Sequence, residues 1–268
     1  MRVAAVADLH CSRTSAGTYR PLFEAARQAA DVLVLPGDLT DFGLPEEAQL
    51  LVAELQAATD GLPVIAVLGN HDYESGKEGE IHKILAGAGV IVLDGDSCEV
   101  RGVGFAGVKG FAGGFGRGAL GAWGEPAIKM FVQEAVNEAI KLESALARLR
   151  TDRRVVVMHY SPIVATVEGE PREIFPYLGS SRLEEPLSRY PVDVVFHGHA
   201  HRGQPEGRTL AGVPVFNVSL PLMRRGPVEG RLFRLFEIPE AGARAPGARV
   251  AEHVAEPADE PVAARVKS

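Results

Sequence analysis

The sequence predicts an α/β fold, and three observations support this prediction. Short apolar runs rich in Val, Ile and Leu alternate with helical patterns through the first half of the chain. Five such runs end in a residue that can bind a metal ion. A length of 268 residues and a hydrophobic content of 46% suit one large domain with a well-buried core.

The first half of the chain follows a βαβαβ pattern. We expect strands and helices in the order strand 2–7, helix 19–30, strand 31–35, helix 45–59 and strand 64–68. Pro45, followed by Glu46 and Glu47, is typical of a helix start, because these acids complement the positive end of the helix dipole. Parallel strands joined by helices predict right-handed crossovers.

The middle of the chain predicts shorter elements and a second sheet. After a helix near 80–86, three strand patterns at 90–93, 98–100 and 103–108 are joined by glycine turns, where a second, partly antiparallel sheet is expected to begin. A long helix is predicted at about 125–149, with an apolar face formed by Met130, Ala135, Leu142, Leu146 and Leu149. We expect this helix to pack on a sheet.

The end of the chain differs in composition from the rest. Beyond Ile238 the sequence is rich in Ala, Pro, Gly, Glu and Arg and has almost no large apolar residues. Such a segment cannot bury enough surface to offset the entropy of ordering. The sequence therefore predicts a domain at 1–240 and a flexible C-terminal tail at 241–268.

Charge and cysteine content narrow the class of partner and the compartment. A net charge of −7 and a pI near 5.7 disfavour a long nucleic acid and favour a small phosphoester substrate. Cys11 and Cys98 form no disulfide framework, which suits a reducing compartment. No apolar run is long enough to span a membrane. We expect a cytoplasmic protein, and the sequence leaves its oligomeric state open.

The residues that follow the five apolar runs have the chemistry of metal ligands. The motifs are Asp8-Leu9-His10, Gly37-Asp38-Leu39-Thr40-Asp41, Gly69-Asn70-His71-Asp72, a lone His159 and Gly198-His199-Ala200-His201. Ligands bind outside the carboxyl ends of strands in open α/β sheets, so we expect these side chains to converge. By strand alternation, Asp8 and His10 should project to one side and Cys11 to the other. Imidazole, carboxylate and amide oxygen without thiolate suit Mn²⁺, Fe or Zn²⁺.

This order of motifs resembles the calcineurin-like metallophosphoesterase superfamily, and the resemblance extends from the N-terminus to about Ile238. It implies a two-layered β-sandwich of mixed sheets, flanked by helices, that holds two divalent metal ions. By this resemblance one ion is bound by Asp8, His10, Asp38 and His201. The other is bound by Asp38, Asn70, His159 and His199, with Asp38 bridging the two.

The resemblance also implies a reaction and two catalytic residues. A metal-bridging hydroxide would attack phosphorus, and His71 would protonate the leaving group. Asp41 either orients His71 through its carboxylate or serves as an N-cap or turn acid before Pro45. Phe42-Gly43 stands where protein Ser/Thr phosphatases have Arg-Gly, which favours a bacterial phosphodiesterase-type branch.

The predicted activity is therefore hydrolysis of a small phosphodiester, such as a cyclic nucleotide. A phosphomonoesterase or a nuclease of the same superfamily is the alternative enzyme. A metal-binding scaffold without catalytic activity is the alternative from another class. The match of 116–121 to Gly-x-Gly-x-x-Gly is interpreted as coincidental, because no strand directly precedes it.

Two long connections, 109–124 and 161–183, are candidates for a substrate lid. In the first, Phe111, Phe115 and Trp123 are available to stack on a base. In the second, Arg172 and Tyr177 either contact substrate or are solvated loop residues. His197 has the wrong spacing for a ligand and is predicted to be a supporting or structural residue.

Overall fold

The computed structural model describes residues 1–226 and 230–239. The predicted tail at 241–268 and the domain boundary at residue 240 lie outside the described residues. The described strands are β1 (Arg2–Ala5), β2 (Val32–Pro36), β3 (Val64–Val67), β4 (Ile91–Val92), β5 (Asp96–Val100), β6 (Val103–Val108), β7 (Arg153–Met158), β8 (Val194–His197), β9 (Glu206–Arg208), β10 (Pro214–Asn217) and β11 (Arg234–Glu237). The α-helices are α1 (Arg20–Ala29), α2 (Pro45–Ala58), α3 (Glu78–Gly87), α4 (Pro126–Arg148), α5 (Phe175–Leu178), α6 (Glu184–Arg189) and α7 (Leu220–Arg225).

The first sheet has the strand order β11-β1-β2-β3-β4. Strands β1 to β4 are parallel, as the βαβαβ pattern predicts, and β11 pairs antiparallel with β1. The strand expected at 90–93 was wrongly placed in the second sheet. It is β4, and it belongs to the first sheet because its residues pair with β3 and the Leu93 N–H donates to the Ala66 carbonyl at 2.8 Å.

The second sheet has the order β5-β6-β7-β8-β10-β9. Strands β6, β7, β8 and β10 are parallel, whereas β5 and β9 are antiparallel to their neighbours at the two edges. The predicted partly antiparallel character of this sheet is confirmed. The central strands of both sheets therefore end at one edge of the molecule.

The two sheets pack face to face, and helices cover their outer faces. Along β7, Val155 and Val157 belong to the core between the sheets, whereas Val156 and Met158 pack in the cluster that includes α4. This alternation is the period of two expected of a strand buried on both faces. The two-layered α/β sandwich that the sequence analysis predicted is confirmed.

The long helix α4 covers the second sheet with the predicted face, except at Met130. Its buried residues include Val132, Ala135, Leu142 and Leu146, whereas Met130 is 67% exposed. Met130 was assigned to the apolar face wrongly, because the first turns of α4 extend beyond the sheet into solvent. Within the described part of the chain, no helix has both the length and the apolar composition needed to cross a bilayer.

Candidate metal centre

The predicted metal ligands lie together at the edge where the central strands end. In the first sheet they follow β1, β2 and β3, and in the second they follow β7 and β8. Three groups of three can each offer ligand atoms that lie within 4.8 Å of one another, and one of them joins His10 to the predicted catalytic residues Asp41 and His71. We call Asp8, His10 and His201 the outer cluster, and Asp38, His159 and His199 the inner cluster.

In the outer cluster, Asp8 is a buried carboxylate with strong partners. Its Oδ1 lies 3.1 Å from His201 Nε2, and both of its oxygens accept the His199 main-chain N–H at 3.0 Å. Burial raises the pKa of Asp8, but the hydrogen bond with His201 and the charge of His159 outweigh this effect and hold the pKa below its ordinary value. Asp8 is therefore ionised at neutral pH and available as a ligand.

His10 provides the clearest indication that a cation belongs in the outer cluster. Neither of its ring nitrogens has a hydrogen-bond partner among the described residues, although both atoms are buried. Its ring lies edge-on to His71, with centroids 4.4 Å apart, and to His201 at 5.3 Å. Buried polar atoms are rarely left unpaired, so a metal ion is a fitting partner for this imidazole.

In the inner cluster, His159 is completely buried and points one nitrogen at oxygen ligands. Its Nδ1 lies 3.0 Å from the Pro36 carbonyl, which can only accept, so Nδ1 carries the hydrogen. Its Nε2 then faces Asn70 Oδ1 at 2.9 Å and Asp38 Oδ2 at 3.3 Å. Burial lowers the pKa of His159, but the Asp38 carboxylate outweighs it and raises the pKa to about 9. A proton and a metal ion compete for this lone pair.

His199 is fixed in the same manner by a main-chain carbonyl. Its Nε2 donates to the Tyr177 carbonyl at 3.1 Å, which leaves Nδ1 as the nitrogen with a free lone pair. Burial, together with the charge of His159, lowers the pKa of His199 to about 4, so the ring is neutral. Metal-binding histidines are commonly oriented by such contacts to their second nitrogen.

Asp38 lies between the two clusters. Its Oδ2 is 3.3 Å from His159 Nε2 and 3.9 Å from His10 Nε2, and its Oδ1 accepts the His71 main-chain N–H at 2.9 Å. Burial raises the pKa of Asp38, but the charge of His159 and the hydrogen bond with it keep the pKa well below the ordinary value. The carboxylate is thus positioned to serve both clusters, and its bridging role remains a prediction.

The donor set as a whole fits two divalent ions. It combines carboxylate, imidazole and amide oxygen, and the described cysteines are not among its members. This mixture suits Mn²⁺, Fe and Zn²⁺, and it does not distinguish between them.

Four of the predicted ligands are held in a left-handed backbone conformation. The φ angles are +57° at Asp8, +47° at His10, +49° at Asp38 and +70° at His199. Residues other than glycine seldom adopt this region, and such strain is concentrated at functional sites. The expectation that strand alternation orients Asp8 and His10 was wrong, because β1 ends at Ala5 and a left-handed turn directs these side chains.

Glycines in the motifs allow the ligand loops to pass close to one another. A Cβ at Gly69 would lie 2.2 Å from Asp38 Oδ1, and a Cβ at Gly198 would lie 2.4 Å from Asp8 Oδ2. Real Cβ atoms do not approach other atoms so closely. These two glycines are therefore required by the close packing of the site.

His71 lies next to both clusters, and Asp41 contacts it in an unexpected way. His71 Nδ1 is 2.6 Å from the Asp41 main-chain carbonyl, whereas the Asp41 carboxylate is 4.0 Å from that nitrogen and 3.6 Å from His10 Nδ1. The Asp41 main-chain carbonyl therefore orients His71, where the sequence analysis predicted that the Asp41 carboxylate would do so. The capping alternative is also wrong, because Leu44 is the N-cap of α2.

Asp72, the last residue of the Gly-Asn-His-Asp motif, is hydrogen-bonded to both the loop after β2 and the loop after β3. It is completely buried and accepts hydrogen bonds from the Leu39, Thr40 and Gly69 N–H groups at 3.2, 2.8 and 2.8 Å, and from the Thr40 hydroxyl at 2.6 Å. Burial and the charge of Asp38 raise its pKa to about 6. Sequence reasoning did not find this role, although the position of Asp72 in the motif was a signal.

A buried polar network supports the loop that carries His199 and His201. His197 Nδ1 donates to the Gly198 carbonyl at 2.8 Å, and its Nε2 accepts from the Thr166 hydroxyl at 2.8 Å. Burial lowers the pKa of His197 to about 4, which keeps the ring neutral. The Asn217 amide donates to the Ala200 carbonyl at 2.7 Å. These contacts agree with the predicted supporting role of His197.

The two long connections are hydrogen-bonded to each other. The Gly113 N–H donates to the Pro176 carbonyl at 2.7 Å, and the Gly114 N–H donates to the Gly179 carbonyl at 2.8 Å. Because the Tyr177 carbonyl contacts His199, the 161–183 connection borders the site as expected. In the glycine-rich connection, Phe111 packs on Phe131 and Trp123 is 78% exposed. A lid role for either connection remains a prediction.

A two-layered α/β sandwich with paired carboxylate and imidazole clusters at its strand ends defines a metallophosphoesterase. The chain belongs to the calcineurin-like phosphoesterase family, whose sequence model matches residues 1–203. Members of this family depend on a dinuclear metal centre. A comparison with curated protein sequences found no significant match.

Solved structures share the fold at low sequence identity. A phosphopantetheinyl hydrolase from Mycobacterium tuberculosis is similar with a TM-score of 0.64 and 16% identity, over 91% of this chain and 98% of that chain. A candidate 5′-nucleotidase from Staphylococcus aureus, in complex with alpha-ketoglutarate, is similar with a TM-score of 0.51 and 19% identity. That match covers 81% of this chain and 48% of the other. Both similarities support the fold.

Proposed function

We propose that this protein is a dinuclear-metal-dependent phosphodiesterase that hydrolyses a small phosphodiester, such as a cyclic nucleotide or a nucleotide derivative. The observation that carries the proposal is that Asp38 lies between two clusters of metal-binding side chains, with His71 beside them. One cation would be held by Asp8, His10, Asp38 and His201, and the other by Asp38, Asn70, His159 and His199. Mn²⁺, Fe and Zn²⁺ are the proposed metals.

The proposed reaction needs activation of water, neutralisation of the phosphate charge and protonation of the leaving group. Two divalent ions, when bound, supply charge neutralisation for the phosphate and activation of a water molecule. His71 donates Nδ1–H to the Asp41 carbonyl, so its ring is oriented and Nε2 is directed away from that contact. As the general acid, His71 gives an Nε2 proton to the departing alkoxide. The His71 main-chain N–H donates to Asp38 Oδ1, and this hydrogen bond fixes the general acid beside a predicted metal ligand.

Charge supports a small substrate. The net charge of −7 provides no broad positive field for a polyanion, whereas the metal centre would attract one phosphate group locally. A phosphomonoesterase, a nuclease and a binding scaffold remain the alternatives. Comparing the turnover of diester, monoester and DNA substrates separates all three from the proposal.

The first test is turnover by protein loaded with Mn²⁺, Fe²⁺ or Zn²⁺. We expect metal-dependent hydrolysis of bis(p-nitrophenyl) phosphate and of cyclic nucleotides, with lower rates for p-nitrophenyl phosphate and single-stranded DNA. A phosphopantetheinyl phosphodiester is a further substrate to include, because the M. tuberculosis structural neighbour is a phosphopantetheinyl hydrolase. A monoester or DNA preference would overturn the diester proposal, and no turnover with any metal would favour the scaffold.

The role of His71 is tested by its dependence on the leaving group. An alkoxide leaving group needs a proton, whereas p-nitrophenolate leaves without one. We expect His71→Ala to lower kcat by about 10²- to 10⁴-fold for an alkyl ester and by much less for bis(p-nitrophenyl) phosphate. His82→Ala, in an exposed residue of α3, is the matched control and should change neither rate. Equal losses for both substrates would remove His71 as the general acid.

A further inference from the structure

A pocket lies beside the loop that carries His201. It has a volume of about 340 Å³, and its lining includes Arg202, Gly203, Arg225 and Arg234. This volume lies within the range of small-molecule sites. The pocket sits at the edge where the strands end, since Asn217 ends β10 and Arg234 begins β11, which runs antiparallel to β1.

The pocket shares a wall with a predicted metal ligand. Arg202 follows His201 directly in the chain, and the Arg225 guanidinium donates a hydrogen bond to the His201 carbonyl. Asn217, which lines the pocket, donates to the Ala200 carbonyl in the same loop at 2.7 Å. A molecule in this pocket would therefore lie beside the loop that carries His199 and His201.

The charge of the pocket is positive in a protein whose net charge is −7. Arg234 pairs with Glu206 at 3.4 Å and stacks on Phe216, with its guanidinium carbon 4.1 Å from the ring centroid. By contrast, the guanidinium groups of Arg202 and Arg225 make no ion pair with a carboxylate among residues 1–226 and 230–239. The Glu170 carboxylate contacts only the Arg202 main-chain N–H, at 2.6 Å.

Two guanidinium groups that have no carboxylate partner among the described residues line this concave site, and such groups bind anions. Guanidinium presents planar donors that match the oxygens of phosphate and carboxylate groups. Leu222, Met223 and Pro205 supply apolar lining between the arginines, which suits the carbon chain that carries an anionic group. An anion attached to a short organic linker is the ligand that fits both features.

We infer that this pocket is a substrate subsite that binds a second anionic group, a phosphate or carboxylate separate from the phosphodiester that is cleaved. The inference rests on the proposed function, because it assigns the second group to the same substrate. It narrows the substrate class to small phosphodiesters with an anionic end, and Arg202 and Arg225 determine that specificity.

The test compares matched substrates and matched variants. The substrates are alkyl p-nitrophenyl phosphodiesters whose chains of two to six methylene groups end in phosphate, carboxylate or hydroxyl. We expect the wild-type enzyme, loaded with Mn²⁺, to prefer an anionic end over hydroxyl by about tenfold in kcat/KM. Arg202→Gln and Arg225→Gln should reduce this preference ratio to near one. The phosphate and carboxylate arms distinguish the two anions.

Arg208→Gln is the control for loss of one positive charge. Arg208 is exposed on β9 and lies outside the pocket, with its guanidinium bonded to the Gly212 carbonyl at 2.9 Å. This variant should keep the full preference for an anionic end. The inference is overturned if the wild type shows no preference at any linker length, or if Arg208→Gln lowers the ratio as much as Arg202→Gln.

A binding measurement separates failure of the subsite from failure of the proposed function. Alkane bisphosphonates and alkyl monophosphonates of the same linker lengths are titrated calorimetrically into Mn²⁺-loaded protein. We expect the second phosphonate to tighten binding about tenfold in the wild type and to add nothing in Arg202→Gln. Absent turnover with this binding pattern would overturn the phosphodiesterase alone, whereas turnover with equal affinities would overturn the subsite alone.

Discussion

The inner and outer clusters use the same side-chain chemistry but differ in how firmly their histidines are held. In the inner cluster, His159 is fixed by the Pro36 carbonyl and His199 by the Tyr177 carbonyl. In the outer cluster, the nitrogens of His10 have no hydrogen-bond partner among the described residues, and the His201 side chain is 38% exposed. The histidines of the inner cluster are therefore oriented by main-chain contacts, whereas hydrogen bonds do not orient His10 in the outer cluster.

This difference indicates that the two metal positions are not equivalent. Ligands that are already oriented lose less conformational entropy on binding, and contacts to the second nitrogen raise metal affinity. The inner cluster should therefore fill first, and occupancy of the outer cluster should limit activity when metal is scarce. Four substitutions or measurements test this comparison.

The largest effect is expected from Asp38→Asn, because Asp38 lies between both clusters. Replacing its carboxylate should weaken both metal positions and lower turnover by roughly 10³-fold, since bound ions supply several kcal/mol of transition-state stabilisation. Metal content by plasma mass spectrometry and diester turnover are the measurements. Asp60→Asn, on the exposed surface, is the control. A variant that retains two equivalents of metal and full activity would contradict the shared role.

A smaller effect is expected from Gly69→Ala, which tests the packing around the inner cluster. The new Cβ would lie 2.2 Å from Asp38 Oδ1, so the carboxylate must shift and turnover should fall by about 10²-fold. Gly79→Ala is the control, because a Cβ at this exposed helical position has nothing within 4 Å. Its turnover should be unchanged and its stability slightly higher. Equal activity of both variants would mean that the loops can separate at no cost.

The two clusters should also differ in metal affinity. We expect stepwise Mn²⁺ loading in a calorimetric titration, with the two dissociation constants at least about tenfold apart. His159→Ala should abolish the tighter step, and His10→Ala should abolish the weaker one. Two equal affinities, or loss of the tighter step in His10→Ala, would invert the proposed order.

The smallest effect is expected from Asp41→Asn. The structure uses the main-chain carbonyl of Asp41 to orient His71, and this substitution keeps that carbonyl. Only the longer contacts of the carboxylate are altered, which are 3.6 Å to His10 Nδ1 and 4.0 Å to His71 Nδ1. Turnover of an alkyl diester should change by no more than about threefold. A loss as large as that of His71→Ala would restore the carboxylate to the catalytic role first predicted for it.

The sequence predicted those parts of the molecule that depend on local patterns. The apolar runs identified β1, β2, β3, β7 and β8, and the residues after them identified where ligands would lie. It did not predict β11, because Arg234–Glu237 is only partly buried and its place in the sheet depends on pairing with β1 at the other end of the chain. Non-local pairing of this kind leaves little local pattern.

The details of the site were also beyond the sequence. The hydrogen bonds of Asp72 to Leu39 and Thr40, and that of the Asp41 carbonyl to His71, join loops that are about 30 residues apart in the chain. Residue types and their spacing identify candidate site residues. They do not determine these contacts, which depend on how two loops pack against each other. The same reason explains why strand alternation failed for Asp8 and His10.

The left-handed backbone at four ligands bears on how such a site can be lost during evolution. Each of these residues costs roughly 1 kcal/mol of folding free energy relative to glycine at the same φ angle. A predicted ligand that mutates to glycine therefore removes chemistry while relaxing the backbone, and this relaxation offsets part of the stability lost with its hydrogen bonds. Selection on activity thus adds to selection on folding in retaining Asp8, His10, Asp38 and His199.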